Sequence, residues 1–145
     1  MQNKMKLEFT NLSENESFAR VAVSAFIAPL DPTVEELTEI KTAISEAVSN
    51  SVIHAYRSRG EGIITIDCTV DENRRVIISV IDYGIGIENI ELAREPLYTS
   101  NPDEERSGMG FTVMESFMDK LFVESEPGKG TKVTMIKNLD KAYEL

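Results

Sequence analysis

Cysteine is nearly absent: Cys68 is the only one in 145 residues, so no intrachain disulfide can form. Its place inside an apolar run predicts a buried structural thiol. No apolar run approaches the roughly 20 residues a membrane-spanning helix needs, and the opening Met1-Gln2-Asn3-Lys4-Met5-Lys6 lacks the apolar core of a signal peptide. The expected location is cytoplasmic. Basic residues are scarce relative to acidic ones, 15 against 25, giving a net charge of -10. Such a surface repels phosphate backbones and anionic lipid, which excludes direct nucleic-acid and membrane partners. Repeats, low-complexity tracts and linkers are missing too. At this length, with 41% hydrophobic residues, residues 1–145 are expected to form a single domain around one core.

The local patterns alternate between strand and helix. Lys6 to Thr10 alternates like an opening strand, and Ser13-Glu14-Asn15-Glu16 reads as a capping box for a first helix. Phe18, Val21, Ala22, Ala25 and Phe26 fall on one helical face, and Pro29 and Pro32 end the pattern. A second capping box, Thr33-Val34-Glu35-Glu36, opens a longer helix to about Tyr56, with Leu37, Ile40, Ile44, Ala47, Val48 and Ser51 as its buried stripe. Ile63 to Val70 and Arg75 to Ile81 are rich in β-branched residues and flank a polar turn, which predicts a hairpin. Signals then weaken, and Glu95 to Ser107 reads as a mobile loop. Helical spacing returns from Gly110 to Leu121, and a final strand is expected over Lys132 to Lys137. This order predicts an α+β fold, a two-layer sandwich with helices on one face of a mixed, mostly antiparallel sheet.

Chemistry-bearing residues recur in an ordered series. Glu46, Asn50 and His54 stand at i, i+4 and i+8 beside the apolar stripe, where they form either a solvated flank or the edge of a site. A carboxylate and an amide one turn apart suit an attacking group and a hard cation, and magnesium takes few protein ligands besides phosphates and water. Asp82 ends an interior strand and precedes Tyr83-Gly84-Ile85-Gly86, either an ordinary turn or a carboxylate presented to a ligand. Gly108-Met109-Gly110 precedes a helix, whose free N–H groups and positive dipole end favour phosphate; a plain glycine hinge is the other reading. Arg106 could reach a terminal phosphate or pair with Glu104 or Glu105. Gly128-Lys129-Gly130-Thr131 mimics a P-loop ending, but Val123 occupies the first glycine's position and a strand follows. Asp82-Tyr83-Gly84 likewise lacks the other motifs of a eukaryotic-type kinase.

Together these segments resemble the ATPase and kinase family that includes gyrase B subunits, Hsp90, MutL proteins and sensor histidine kinases. In its terms Glu46 to Asn50 is the N box, and the three glycine-containing segments are the glycine boxes of a Bergerat-type fold. The resemblance implies ATP and Mg2+ as cofactors, with Asn50 as the metal ligand and Glu46 as the catalytic base. Asp82 would bind the adenine amino group, Gly84 and Gly86 the nucleotide, Gly108 and Gly110 the phosphates, and Thr131 the adenine surroundings. Arg106 would assist transfer. Within the family, the short acidic chain most resembles the sporulation anti-sigma factors that are also serine kinases. That branch implies a homodimer that inhibits a sigma factor and phosphorylates a serine of an anti-anti-sigma factor. Alternatives are an ATP-gated binding module without transfer, or a histidine-kinase catalytic domain. Against the latter, the single histidine, His54, lies in the nucleotide-site helix and no upstream helical hairpin carries an acceptor.

Overall fold

A computed structural model describes residues 2–56, 61–96 and 110–140. Five strands form one sheet in the order β1-β2-β3-β5-β4: β1 Asn3–Thr10, β2 Ile63–Val70, β3 Arg75–Asp82, β4 Lys120–Glu126 and β5 Gly130–Asn138. Every pairing is antiparallel, so the mixed sheet allowed by the sequence resolves to a purely antiparallel one. The hairpin of β2 and β3 falls where the β-branched runs place it, with Arg74 in the left-handed region (φ 62°) at its turn.

Strand alternation assigns the two faces. The row Leu7, Ile66, Val80, Val133, Val123 and its neighbour Met5, Cys68, Ile78, Met135, Leu121 follow from the register and meet the helices. Lys6, Asp67, Ser79, Thr134 and Phe122 take the opposite face. Cys68 is buried as expected, and burial pushes its thiol up to about 12.

The helical layer consists of α1 Asn15–Ile27, α2 Val34–Asn50, a single turn α3 Ile90–Ala93 and α4 Gly110–Phe117. The capping box of α2 forms: Glu36 N–H donates to Thr33 Oγ1 (3.1 Å) and Thr33 N–H to Glu36 Oε1 (2.9 Å). Ile40, Ala43, Ile44, Ala47 and Val48 are buried along it. Full burial of each large aliphatic contributes about 1.5–3 kcal/mol over exposure, so packing dominates the stability of α2.

Three local expectations need correction. Ser13 does not cap α1, which has Glu14 at its N-cap and no side-chain cap bond; the Glu16 carboxylate instead accepts from Arg20 Nη1 (3.1 Å) and Ser49 Oγ (2.9 Å). Arg20 Nη1 also donates to Ser45 Oγ at 2.9 Å. These bonds to α2 fix the rotation of α1, burying Ala19, Val23 and Ile27 and leaving Phe18 51% and Val21 66% exposed. The face expected to be buried is therefore mostly in solvent. Finally, α4 stops at Phe117, and Leu121 belongs to β4 opposite Met135.

Candidate nucleotide site

Helix α2 does not end at Asn50 in the ordinary way. Ser51–Ala55 continue it as a π-helical turn, a wide turn frequent at functional sites. His54 lies inside this turn, whose spacing differs from that of the α-helix carrying Glu46 and Asn50. Glu46 and Asn50 themselves stay together, half-buried on one edge of the helix.

The start of α4 closes against that edge. A Cβ on Gly110 would stand 3.2 Å from both amide atoms of Asn50 and 3.4 Å from Glu46 Oε2. The structure thus brings the N box and the end of the second glycine box into one place. Gly110 is the first described residue of α4, so α4 meets α2 at Glu46 and Asn50. Arg106 and Gly108 lie outside the described residues, as does most of the loop expected over 95–107.

Asp82 anchors the other part of the site. It is 5% exposed at the end of β3, directly opposite Thr131 of β5. Its Oδ1 accepts from the backbone N–H groups of Gly84 (3.1 Å) and Thr131 (3.2 Å), and its Oδ2 accepts from Ser51 Oγ (3.1 Å). Burial raises its pKa above the ordinary aspartate value, and these three donors offset only part of the rise. The carboxylate is held in place yet remains costly to ionise, as suits a group whose partner arrives from outside.

The glycines around Asp82 serve the protein's own backbone. A Cβ on Gly84 would meet Ala55 O at 2.1 Å, and one on Gly130 (φ 122°) would meet Asp82 O at 2.1 Å. Gly86 (φ 76°) similarly faces Glu126 O at 2.3 Å. They seal the π turn, the end of β3 and the β4-β5 turn together, and Ile85 N–H donates to Ala55 O (3.0 Å) across the seam. Ser125 completes it: its Oγ accepts from Ile87 N–H (2.7 Å), donates to Gly130 O (2.9 Å) and lies 2.9 Å from Thr131 Oγ1. Tyr56 ties the same region by donating to Ile63 O (2.6 Å) and accepting from Tyr83 N–H (2.7 Å).

Sequence reasoning missed Ser51 as a partner of Asp82, counting it only among the buried stripe, and it missed Ser125. Neither had a local signal. The described residues thus bring together a buried carboxylate, Asp82, and, at the start of the described part of α4, Glu46 and Asn50. Among the described residues no cluster of three or more His, Cys, Asp or Glu side chains is placed to hold a metal. A magnesium ion held by Asn50 would therefore take most of its ligands from phosphates and water.

Comparison with known proteins adds an independent line. The family model for the histidine kinase-like ATPase domain matches residues 9–137. An anti-sigma F factor of Clostridium acetobutylicum is 63% identical over 94% of this chain and 94% of its own. That of Clostridium beijerinckii is 60% identical over 95% of this chain and 96% of its own. Among solved structures, the catalytic domain of the histidine kinase ThkA is similar in fold, with TM-score 0.56 and 22% identity over 93% of this chain and 96% of that one. The RsbU and RsbW domains of a Mycobacterium tuberculosis protein match with TM-score 0.69 and 17% identity, covering 99% of this chain and 35% of that one.

Proposed function

The chain belongs to the histidine kinase-like ATPase family and, within it, to the anti-sigma F factors, and from that premise we propose a serine kinase that doubles as a sigma-factor inhibitor. It binds a sporulation sigma factor, holds it inactive, and uses ATP with Mg2+ to phosphorylate a serine of an anti-anti-sigma factor. It works as a cytoplasmic homodimer, with one ATP-binding kinase domain per chain. The kinase reading is supported by the proximity of Gly110 to Glu46 and Asn50, to which the proposal gives the roles of phosphate-side backbone, base and metal ligand.

Bound magnesium-ATP supplies the transferable phosphoryl group and the cation that neutralises its charge. Asp82 accepts a hydrogen bond from the adenine amino group, and Thr131, Gly84 and Gly86 shape the surrounding wall. Gly108 and Gly110 present backbone N–H groups to the phosphates, and Arg106 binds the terminal one. Glu46 orients the acceptor serine and takes its proton as the new serine O–P bond forms and the bond from phosphorus to the bridging oxygen breaks, leaving ADP. Asn50, one turn from Glu46 on α2, would hold the metal ion.

The test combines purified protein, Mg2+, γ-labelled ATP and the anti-anti-sigma protein, wild type and with its acceptor serine changed to alanine. Acid-stable label confined to the wild-type partner is expected. Tight ATP binding without transfer would replace the kinase by an ATP-gated module, and acid-labile label would indicate phosphohistidine.

A further inference from the structure

Four helix hydroxyls near solvent among the described residues turn back on their own helix. Ser24 donates to Arg20 O (2.6 Å), Thr38 to Val34 O (2.8 Å), Thr42 to Thr38 O (2.9 Å) and Ser116 to Thr112 O (2.9 Å), the default for such residues. Ser45 and Ser49 bond to α1 instead, and Ser51, which is buried, bonds to the sheet. Ser51 is 5% exposed and opens the π turn, where its own N–H already bonds to Ala47 O and Val48 O. Its hydroxyl reaches across 31 residues of sequence to Asp82 Oδ2.

An ionised carboxylate offers about four acceptor positions, two on each oxygen. On Asp82, Oδ1 is filled by the N–H groups of Gly84 and Thr131. Oδ2 has Ser51 as its one donor among the described residues, which leaves one acceptor position there. The two backbone donors fix one oxygen, and Ser51 occupies one side of the other. The remaining lone pair therefore has a set direction.

We propose that Ser51 is a positioning residue that fixes the free acceptor position of Asp82 and so sharpens the preference for a purine carrying a 6-amino group. This rests on the reading above, in which Asp82 recognises adenine. Ser51 makes no contact with the nucleotide in this scheme. It acts by ordering Asp82 before the ligand arrives, which lowers the cost of binding. Placement of Ser51 directly after Asn50 means that the same stretch of chain serves the base-recognition and metal ends of the site.

The experiment compares magnesium-ADP with the diphosphate of purine riboside, which lacks the 6-amino group, by isothermal titration of the full chain. Wild type is expected to prefer ADP. Ser51→Ala should weaken ADP about three- to tenfold, the size of one ordinary hydrogen bond, while leaving purine riboside diphosphate nearly unchanged, so discrimination falls. Ser51→Thr keeps the hydroxyl and should restore it. Should Ser51→Ala not fold, Ser51→Cys keeps the volume with a much weaker donor and should lose discrimination in the same way. Equal weakening of both nucleotides, or unchanged discrimination in the Ala or Cys variant, overturns the role of Ser51 alone. A wild-type protein that binds both nucleotides equally overturns the adenine role of Asp82, and this proposal with it.

Discussion

Replacing Asp82 by asparagine separates recognition from folding. The side-chain amide has one oxygen, and the backbone N–H groups of Gly84 and Thr131 claim it at the Oδ1 position. The NH2 group then takes the Oδ2 position, where Ser51 can reverse its hydroxyl and accept. Toward the nucleotide, however, a donor now faces the adenine amino group, itself a donor. Losing a hydrogen bond to a charged group costs about 1.5–3 kcal/mol, and leaving a buried donor unpaired about 1–3 more. The sum, roughly 2.5–6 kcal/mol, is a factor of about 10²–10⁴ in Kd. Inosine diphosphate, with an acceptor oxygen at the same position, should suffer far less, so the preference for ADP collapses. Stability should not fall. The native pKa of Asp82 lies above the ordinary 3.8, so between those values the native state binds more protons than the unfolded one, and ionisation at higher pH destabilises the fold. Asparagine removes that cost. The assays are titration calorimetry with both diphosphates and thermal melts of the unliganded protein. Wild-type ADP affinity in Asp82→Asn, or equal loss of both nucleotides with a lower Tm, would refute this reasoning.

Other substitutions address the remaining parts. Glu46→Gln should keep ATP affinity while lowering phosphoryl transfer by about 10²–10⁴, the usual contribution of a general base; transfer at the wild-type rate would remove Glu46 from that role. Asn50→Ala should weaken ATP binding in Mg2+ but hardly change it in EDTA, whereas equal affinities for wild type and variant in Mg2+ would refute a metal role. Gly84→Ala and Gly128→Ala make a matched pair for urea denaturation. The added Cβ meets Ala55 O at 2.1 Å in the first and nothing within 4 Å in the second, where only φ 82° opposes it. Overpacking against backbone should cost about 1–3 kcal/mol or more, and the left-handed φ about 1–2 kcal/mol; a Gly128 variant clearly more damaged than the Gly84 one would contradict the crowding argument.

Legibility in the sequence followed the range of the forces involved. The capping box at Thr33 and Glu36 and the β2-β3 hairpin rest on neighbouring residues, and both stand where the pattern places them. The rotation of α1 does not. Phe18, Val21 and Ala25 form as good an apolar stripe as Ala19, Val23 and Ile27, and the choice is made by Glu16 and Arg20 bonding to Ser45 and Ser49 on α2. The length of α4 was overread because Met118 and Leu121 continue helical spacing, while Leu121 and Val123 also alternate as a strand. Pairing with β5 satisfies a full backbone ladder there, and the strand wins. The same distinction divides the site. Glu46, Asn50, Asp82 and the glycine pairs are visible as residue types at set spacings. The purpose of Gly84, Gly86 and Gly130 is not, because the atoms that exclude a side chain belong to Ala55, Glu126 and Asp82, distant in sequence. The bond from Ser51 to Asp82 is equally silent. Ser51 keeps helical backbone geometry directly after Asn50, so what decides its role is not its own helix but the arrival of β3, which brings Asp82 against it from 31 residues away.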